Sequence, residues 1–348
     1  GQAMGYPLRN STARRTGFAS PSKAIQLRAR RLCCNFSRIV EYAGTPPGPL
    51  EGGTVMDNLN MLQRVTFSFR TCLFSEPYEL SNGTITEVTG EPLQKECTDC
   101  CEETVFLVVL NWWLPKCSPY VWERATYRVV ADGGANRLYR EIPKLIPELS
   151  VEEVRSRFVP DCVVGDLDSL KPEVRAFYES KGVAIHDKSE DQDTNDLTKC
   201  IHACLGYMEE SGLRRESVTI VCVGALGGRL DHTLGNLNVL YSFQELNLVL
   251  CGDGNLTRLL PAGTSVIHPD RAMEGPTCGL IPLGGPVRAT TTGLRWNLDN
   301  TEMRFAGLVS TSNMIDADEI VVHSDGPLLW TTKLRDRVCP LCGAVGRT

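Results

Sequence analysis

Between residues 104 and 250 short apolar runs alternate with helix-like stretches, and this alternation constrains the fold more than any other feature. Residues 105–110 form a continuous apolar run, the mark of a strand covered on both faces. Residues 120–126 suit a short helix, and 127–131 a second strand. Val163 and Val164 end a third strand, followed by a helix over 172–181 with Pro172 in its first turn. A fourth short strand over 183–186 precedes a long helical stretch, 194–210. A fifth strand at 218–223 leads into a helix ending at Phe243, and 246–250 is a sixth strand. Strands and helices at this spacing imply βαβ units, a mainly parallel sheet and right-handed crossovers.

After Cys251 the texture changes. Short β-type runs recur at 258–260, 265–268, 279–282, 287–291, 305–309, 320–323 and 328–331, with Gly and Pro between them and no convincing helix. That pattern fits an all-β sandwich or barrel. The expected fold class is therefore α/β followed by all-β: an open, mainly parallel sheet with flanking helices, then a β-sandwich. The boundary falls near 252–256, giving an α/β domain over 101–254, a β-sandwich domain over 255–334 and a tail over 335–348.

Residues 1–100 carry the least information. No acidic residue occurs before Arg38, and Arg and Ser recur, a composition shared with organellar transit peptides. An extended or mis-assigned start is the alternative, with Met56 or Met61 as a later one. Residues 44–54 are linker-like, and 73–103 lack a sustained period, so the first hundred residues are expected to be a poorly ordered extension. The formal net charge is −6. Residues 1–55 hold eight Arg or Lys against Glu41 and Glu51, about +6, which leaves about −12 on the remainder. Such a body does not suit nucleic acid. No run of about 18 apolar residues exists, so no membrane-spanning helix is expected. Several of the fifteen cysteines sit inside apolar stretches, which points to a reduced, cytoplasmic protein rather than a secreted disulfide framework.

Four turns rich in Gly and Asp fall where strands should end: Asp132-Gly-Gly-Ala, Gly165-Asp-Leu-Asp-Ser169, Asp191-Gln-Asp-Thr-Asn-Asp196 and Gly227-Gly-Arg-Leu-Asp-His232. Each alone reads equally well as a helix cap or a solvated turn. In an open parallel sheet, however, all such turns line one edge, where ligands bind. Glycines let backbone N–H groups approach phosphate oxygens, and each following helix offers its N-terminus to an anion. Carboxylates there would repel an anion without a metal. Several Asp beside several Gly-rich turns thus imply Mg²⁺ bridging protein and polyphosphate, with Arg229 as a fixed guanidinium for phosphate oxygens. Neither a P-loop nor a G-x-G-x-x-G turn after the first strand is present.

These motifs, with Thr291-Thr-Gly-Leu-Arg-Trp-Asn-Leu298 and Val309-Ser-Thr-Ser-Asn313, strongly resemble the thiamine pyrophosphokinases, the animal-type enzymes in particular. The resemblance runs in order from about 104 to 333. It implies transfer of a pyrophosphoryl group from ATP to thiamine with release of AMP, and a homodimer with active sites at the subunit interface. It also implies roles for individual residues. Asp166, Asp168 and Asp196 look like the metal-binding carboxylates, and with Arg229 and Asp231 like the catalytic set. Asp132, Gly133, Gly134, Gln192 and Gly228 look like nucleotide contacts. Trp296, Ser312 and Asn313 look like thiamine contacts, although Trp296 also reads as a core aromatic of the sandwich. His232 is read only as a helix N-terminal residue.

Rival readings are another Mg²⁺-dependent nucleotide transferase and a catalytically silent thiamine or nucleotide sensor. Cys97-Thr-Asp-Cys100 and Cys339-Pro-Leu-Cys342 have the spacing of zinc half-sites, with incidental cysteines as the alternative.

Overall fold

The structure, a computed structural model, describes residues 104–271 and 273–335 and three short strands ahead of them. These are β1 (Thr66–Arg70), β2 (Tyr78–Ser81) and β3 (Thr84–Glu87). β2 and β3 pair only with each other, as an antiparallel hairpin, where the sequence suggests irregular structure. The intervening residues are Asn82 and Gly83, a pair favoured in two-residue hairpin loops, and the alternation on either side is short enough to escape notice. Both C-x-x-C pairs and residues 1–38 lie outside the described residues.

The α/β part alternates as expected. β4 (Thr104–Val109) is followed by α1 (Ser118–Arg124), β5 (Tyr127–Ala131), α2 (Asp132–Leu145), α3 (Val151–Arg157) and β6 (Cys162–Gly165). Then come α4 (Pro172–Ser180), β7 (Ala184–Asp187), α5 (Asp196–Ser211), β8 (Val218–Val223), α6 (Leu230–Ser242) and β9 (Asn247–Gly252). The spacing gives no bounds for α2, which enters only as the helix following the Asp132 turn, and none for α3. α2 opens on two glycines and carries Pro143 in its last turn, both unfavourable to a helix. α3 does have a sequence signature: Ser150 and Glu153 form a capping box, with the Ser150 side chain accepting from the Glu153 N–H. Gly212, at φ 66°, ends α5 in the left-handed conformation.

β7, β6, β5, β4, β8 and β9 lie in that order, every neighbouring pair parallel. Alternation of side chains along β4 divides the core. Val105, Leu107 and Val109 pack with Trp122, Leu138, Val154 and Val174 of α1–α4, whereas Phe106, Val108 and Leu110 pack with Leu197, Ile201 and Leu240 of α5 and α6. The sheet does not end where the chain changes character. β9 turns through Asp253 (φ 42°) and Gly254 (φ 72°) into β10 (Asn255–Leu260), which pairs antiparallel with it. Two residues of positive φ suit such a tight hairpin.

The remaining strands are β11 (Gly263–His268), β12 (Glu274–Ile281), β13 (Val287–Thr292), β14 (Thr301–Met303), β15 (Ser310–Met314), β16 (Ile320–Ser324) and β17 (Leu328–Leu334). β10, β17, β12 and β15 extend the parallel sheet into one of ten strands, while β1, β11, β16, β13 and β14 form a second sheet of five. Between them lies a core of Leu260, Ile267, Leu280, Val322 and Trp330 among others, so the second part is a sandwich sharing one sheet with the first. The apolar run 305–309, read as a strand, is instead the connection from β14 to β15, and leaves Phe305 and Leu308 exposed.

Trp330 is wholly buried at the centre of the sandwich. Trp330→Ala should lower the unfolding free energy by about 3–5 kcal/mol through lost burial and a residual cavity. Chemical denaturation reads this as a fall in midpoint at unchanged slope; a loss below about 1 kcal/mol would show that the sandwich does not depend on this ring.

Candidate active site

Four strand ends bring the acidic and glycine-rich turns to one edge of the parallel sheet. β5 passes directly into α2, so Asp132 stands at a helix start in the first turn. Gly133 and Gly134 are required there by close approach. A Cβ on Gly134 would lie 2.2 Å from the Val109 carbonyl oxygen, and one on Gly133 2.4 Å from the Asn111 amide. The Gly133 N–H donates to Asp132 Oδ1, and the Ser169 N–H reaches Oδ2 at 3.4 Å. Asn136 ties α2 to the turn after β6, its amide donating to the Ser169 carbonyl at 2.7 Å and accepting from Lys171 N–H at 3.1 Å.

In that turn Leu167 adopts φ 67°, a left-handed conformation unusual for Leu, between Asp166 and Asp168. The turn folds back on Asp132. Carboxylate oxygens of Asp132, Asp166 and Asp168 lie within 4.8 Å of one another. Among the described residues this is the group able to hold a metal ion. Its membership differs from the expected Asp166, Asp168 and Asp196. Asp132, read as a nucleotide contact, takes part in it, and Asp196 lies outside it. Two carboxylates at i and i+2 are visible in sequence, whereas the third comes from the helix start that follows β5, the strand hydrogen-bonded alongside β6, which only tertiary structure brings near.

The local electrostatics match that crowding. Asp132 is 1% exposed, and burial, reinforced by the neighbouring Asp196, pushes its carboxyl up to about 6. Asp196, half-buried at the start of α5, is also raised, first by burial and then by Asp166, against the opposing pull of Lys199 and His232. Lys199 follows Asp196 by three residues on the same helix. It is 5% exposed, and its Nζ lies 3.9 Å from Asp166 Oδ2. A buried ammonium among carboxylates offsets part of their repulsion. Lys199 carries no motif in the sequence, and His232 reads there only as a helix N-terminal residue. Helical spacing from Asp196 was the available signal for Lys199.

The other expected residues fall into separate groups. Gln192 is exposed and donates to the Ser189 carbonyl at 2.8 Å, in a loop where Asp191 accepts from the Thr194 hydroxyl and N–H. Arg229 and Asp231 form a two-point ion pair, with Nε–Oδ1 at 3.1 Å, and both are exposed. The guanidinium holds Asp231 down at about 2. Gly227 and Gly228 have φ of 104° and 69°. In the sandwich, Trp296 is 58% exposed, so it is not the core aromatic; Trp330 fills that place. Asn313, buried, accepts from the Trp296 backbone N–H at 3.2 Å and donates to its carbonyl at 2.9 Å, fixing the backbone that carries the exposed indole. Ser312 beside it is exposed and at φ 57°.

Comparison with known proteins bears on this arrangement. Models of the thiamin pyrophosphokinase catalytic domain and of the thiamin pyrophosphokinase vitamin B1 binding domain match residues 118–251 and 264–329. Thiamine pyrophosphokinase 1 of Oryza sativa subsp. japonica is 47% identical over 234 residues, 66% of this chain and 87% of its own. Thiamin pyrophosphokinase 1 of Caenorhabditis elegans is 28% identical over 226 residues, 64% of this chain and 84% of its own. Identity is thus higher to the plant relative than to the animal one, although the motifs suggest the animal type. The solved thiamin pyrophosphokinase from Candida albicans superposes with a TM-score of 0.58 at 28% identity, covering 67% of this chain and 90% of its own. With both domain models matched in order and close identity across most of a curated relative, this chain belongs to the thiamine pyrophosphokinase family.

Proposed function

We propose that this chain transfers the pyrophosphoryl group of ATP to the hydroxyl of thiamine, giving thiamine diphosphate and AMP. Beyond family membership, the observation that carries this reading is the packing of Asp132, Asp166 and Asp168 at the carboxyl ends of β5 and β6, across β4 from the Gly227-Gly228-Arg229 turn that follows β8. The donor set fits Mg²⁺: three carboxylates converge, one of them buried and pushed towards its neutral form, so a divalent cation would relieve their repulsion. Asp132, Asp166 and Asp168 would hold it, with Asp196 close by. When bound, Mg²⁺ supplies positive charge against the polyphosphate.

The chain's own residues orient and neutralise. Backbone N–H groups of the Gly-rich turns and the starts of α2 and α6 favour phosphate oxygens. Arg229, exposed and already paired with Asp231, has its guanidinium fixed for a second, anionic partner. The outward Trp296 indole offers a face to the cationic thiazolium, with Ser312 and Asn313 beside it as polar groups for the pyrimidine. In-line attack by the thiamine hydroxyl on the β-phosphorus then depends mainly on positioning and charge stabilisation. A different nucleotide transferase and a silent sensor are less well supported, because every acidic motif residue is in place. Formation of AMP from ATP, with and without thiamine, decides among the three.

Two further parts of the reading have narrower support. A homodimer with shared sites accords with the apolar face of α6, where Leu230 is 71% exposed and Leu234 follows one turn later, and with exposed Phe305 and Leu308. A reducing cytoplasmic setting accords with the seven buried, free cysteines among the described residues. No described helix is long and apolar enough to cross a membrane.

Asp132→Asn, Asp166→Asn, Asp168→Asn and Asp196→Asn should each lower turnover by about two orders of magnitude or more while the proteins stay folded. Mg²⁺ titration checks the cause; near-normal rates at ordinary Mg²⁺ would remove the metal assignment.

Asp132 also gives a pH signature without metal. Its folded value, about 6, lies above that of an exposed carboxyl, so its favourable contribution is complete below about pH 4 and lost as pH rises through 6. Asp132→Asn, which cannot ionise, should therefore stabilise the metal-free protein at pH 7.5 by on the order of 1–3 kcal/mol and change little at pH 4. Thermal unfolding at the two pH values measures it, and equal shifts at both would contradict the burial argument.

Trp296→Ala should weaken thiamine binding by about 1–3 kcal/mol and leave ATP binding nearly unchanged. Calorimetric titration with each substrate separates the two. Mixing Trp296→Ala chains with Asp166→Asn chains should restore activity at limiting thiamine if sites are shared between copies, since one site of the heterodimer then carries neither change.

A further inference from the structure

Trp112, in the loop after β4, and Asp253, in the β9–β10 hairpin, belong to none of the motifs above, yet they meet across the strand between them. The Trp112 Nε1–H donates to Asp253 Oδ1 at 2.9 Å. β8 lies between β4 and β9 in the sheet, and the turn that leaves β8, Gly224 to Arg229, passes beneath this contact. Its glycines record how closely. A Cβ on Gly227 would lie 2.0 Å from Asp253 Oδ2 and 2.4 Å from Trp112 Nε1, and one on Gly228 would lie 2.6 Å from the Trp112 ring. A Cβ on Gly224 would lie 2.9 Å from the Leu110 carbonyl oxygen. On its other side the turn is held by α6, through Thr233 bonded to Gly227 and the Asn236 amide donating to the Ala225 carbonyl at 2.8 Å.

We propose that Trp112 and Asp253 are a positioning pair, a latch over the Gly-Gly-Arg turn that fixes where Arg229 and the neighbouring N–H groups meet the polyphosphate. The function of the latch rests on the reading of Arg229 as a phosphate contact. Its physical logic is independent of it. Gly227 and Gly228 both have positive φ, a region open to glycine, so with only the α6 bonds of Thr233 and Asn236 on one side the turn would keep much of its freedom. The indole lies against Gly228 and its N–H is spent on Asp253, which is itself fixed at φ 42° in a tight hairpin. The pair thus replaces the rigidity that the two glycines give up, and the glycines are what let the backbone fit under the ring.

The test uses the full chain and three variants. Trp112→Phe keeps an aromatic surface but removes the donor, Asp253→Ala removes the acceptor, and Asp253→Asn keeps a carbonyl oxygen able to accept from the indole. Amide hydrogen exchange over residues 224–229 should quicken about tenfold in the first two and stay near wild type in the third, the loss expected for one local hydrogen bond. The KM for ATP should rise about three- to tenfold in the same two variants, with kcat and the KM for thiamine within about twofold, because only phosphate placement is disturbed. The double variant Trp112→Phe/Asp253→Ala should be no worse than either single one. Unchanged exchange in folded Trp112→Phe and Asp253→Ala overturns the latch, as does an Asp253→Asn protein that behaves like Asp253→Ala. Arg229→Ala, measured alongside, separates the two readings. If it leaves the KM for ATP unmoved, the phosphate role of Arg229 fails, while the exchange result still decides the latch. If it raises that KM and the latch variants do not, the pair serves folding alone and the proposal is overturned.

Discussion

The site depends on one constraint of sheet pairing: β4 is bonded in parallel to β5 on one side and to β8 on the other. The chain runs outward from β4 through β5, β6 and β7, then returns across it to β8 and β9. At such a reversal the connections leave opposite faces of the sheet and open a crevice at the strand ends. Asp132 after β5, the Asp166–Asp168 turn after β6 and the Gly227–Arg229 turn after β8 all border that crevice. The loop after β4 itself, with Asn111 and Trp112, lies between them. Hydrogen bonding among strands thus assembles groups nearly a hundred residues apart in sequence.

Assembly has an electrostatic cost that the fold meets in two ways. Burial, reinforced by the neighbouring aspartates, raises the carboxyls of Asp132 and Asp196, and an unpaired buried carboxylate would be expensive. Lys199 neutralises part of the charge from within the α5 helix, and Asp132 gains N–H donors from Gly133 and Ser169. These compensate incompletely, which is why Asp132 remains raised. The residual excess of negative charge is what a divalent cation would relieve under the proposed function, and the carboxylates are kept in place by apolar contacts on both faces of the sheet.

How much of this is legible in the sequence follows the range of the interaction. The six parallel strands, the acidic turns and the later β-rich half all reflect local periodicity and turn chemistry, and the structure contains each of them. Contacts between turns are not local. The membership of Asp132 in the carboxylate group, the buried placement of Lys199 and the nearness of His232 to Asp196 all need the strand order first. Trp112 escaped for the same reason, since an aromatic after an apolar strand reads as more core until Asp253 is seen across from it. Trp296 shows the reverse case: its ambiguity between core and surface is resolved by its exposure, on a backbone that Asn313 holds with paired hydrogen bonds. The run 305–309 is apolar enough to suggest a buried strand, yet it lies at the surface, where apolar residues also occur.

The change of texture at residue 252 suggests a boundary between two domains, yet the hydrogen-bond ladder crosses it without a break. From β7 at one end to β15 at the other, each strand is paired with the next, and β9 and β10 are joined by only Asp253 and Gly254. A hinge at this boundary would have to break ladder bonds, each contributing about 1 kcal/mol, along with the packing on both faces. The acidic edge and the strand carrying Ser312 and Asn313 are therefore parts of one continuous sheet, and their separation is set by strand count rather than by a flexible joint. Bringing a nucleotide and a second substrate together cannot then rely on closure of the two halves within a chain. It must rest on preformed placement, in one chain or between two copies, and so on turns at the strand ends that hold their shape. A turn built on glycines, such as Gly224–Arg229, needs its own restraint for this, and the indole and carboxylate over it provide one.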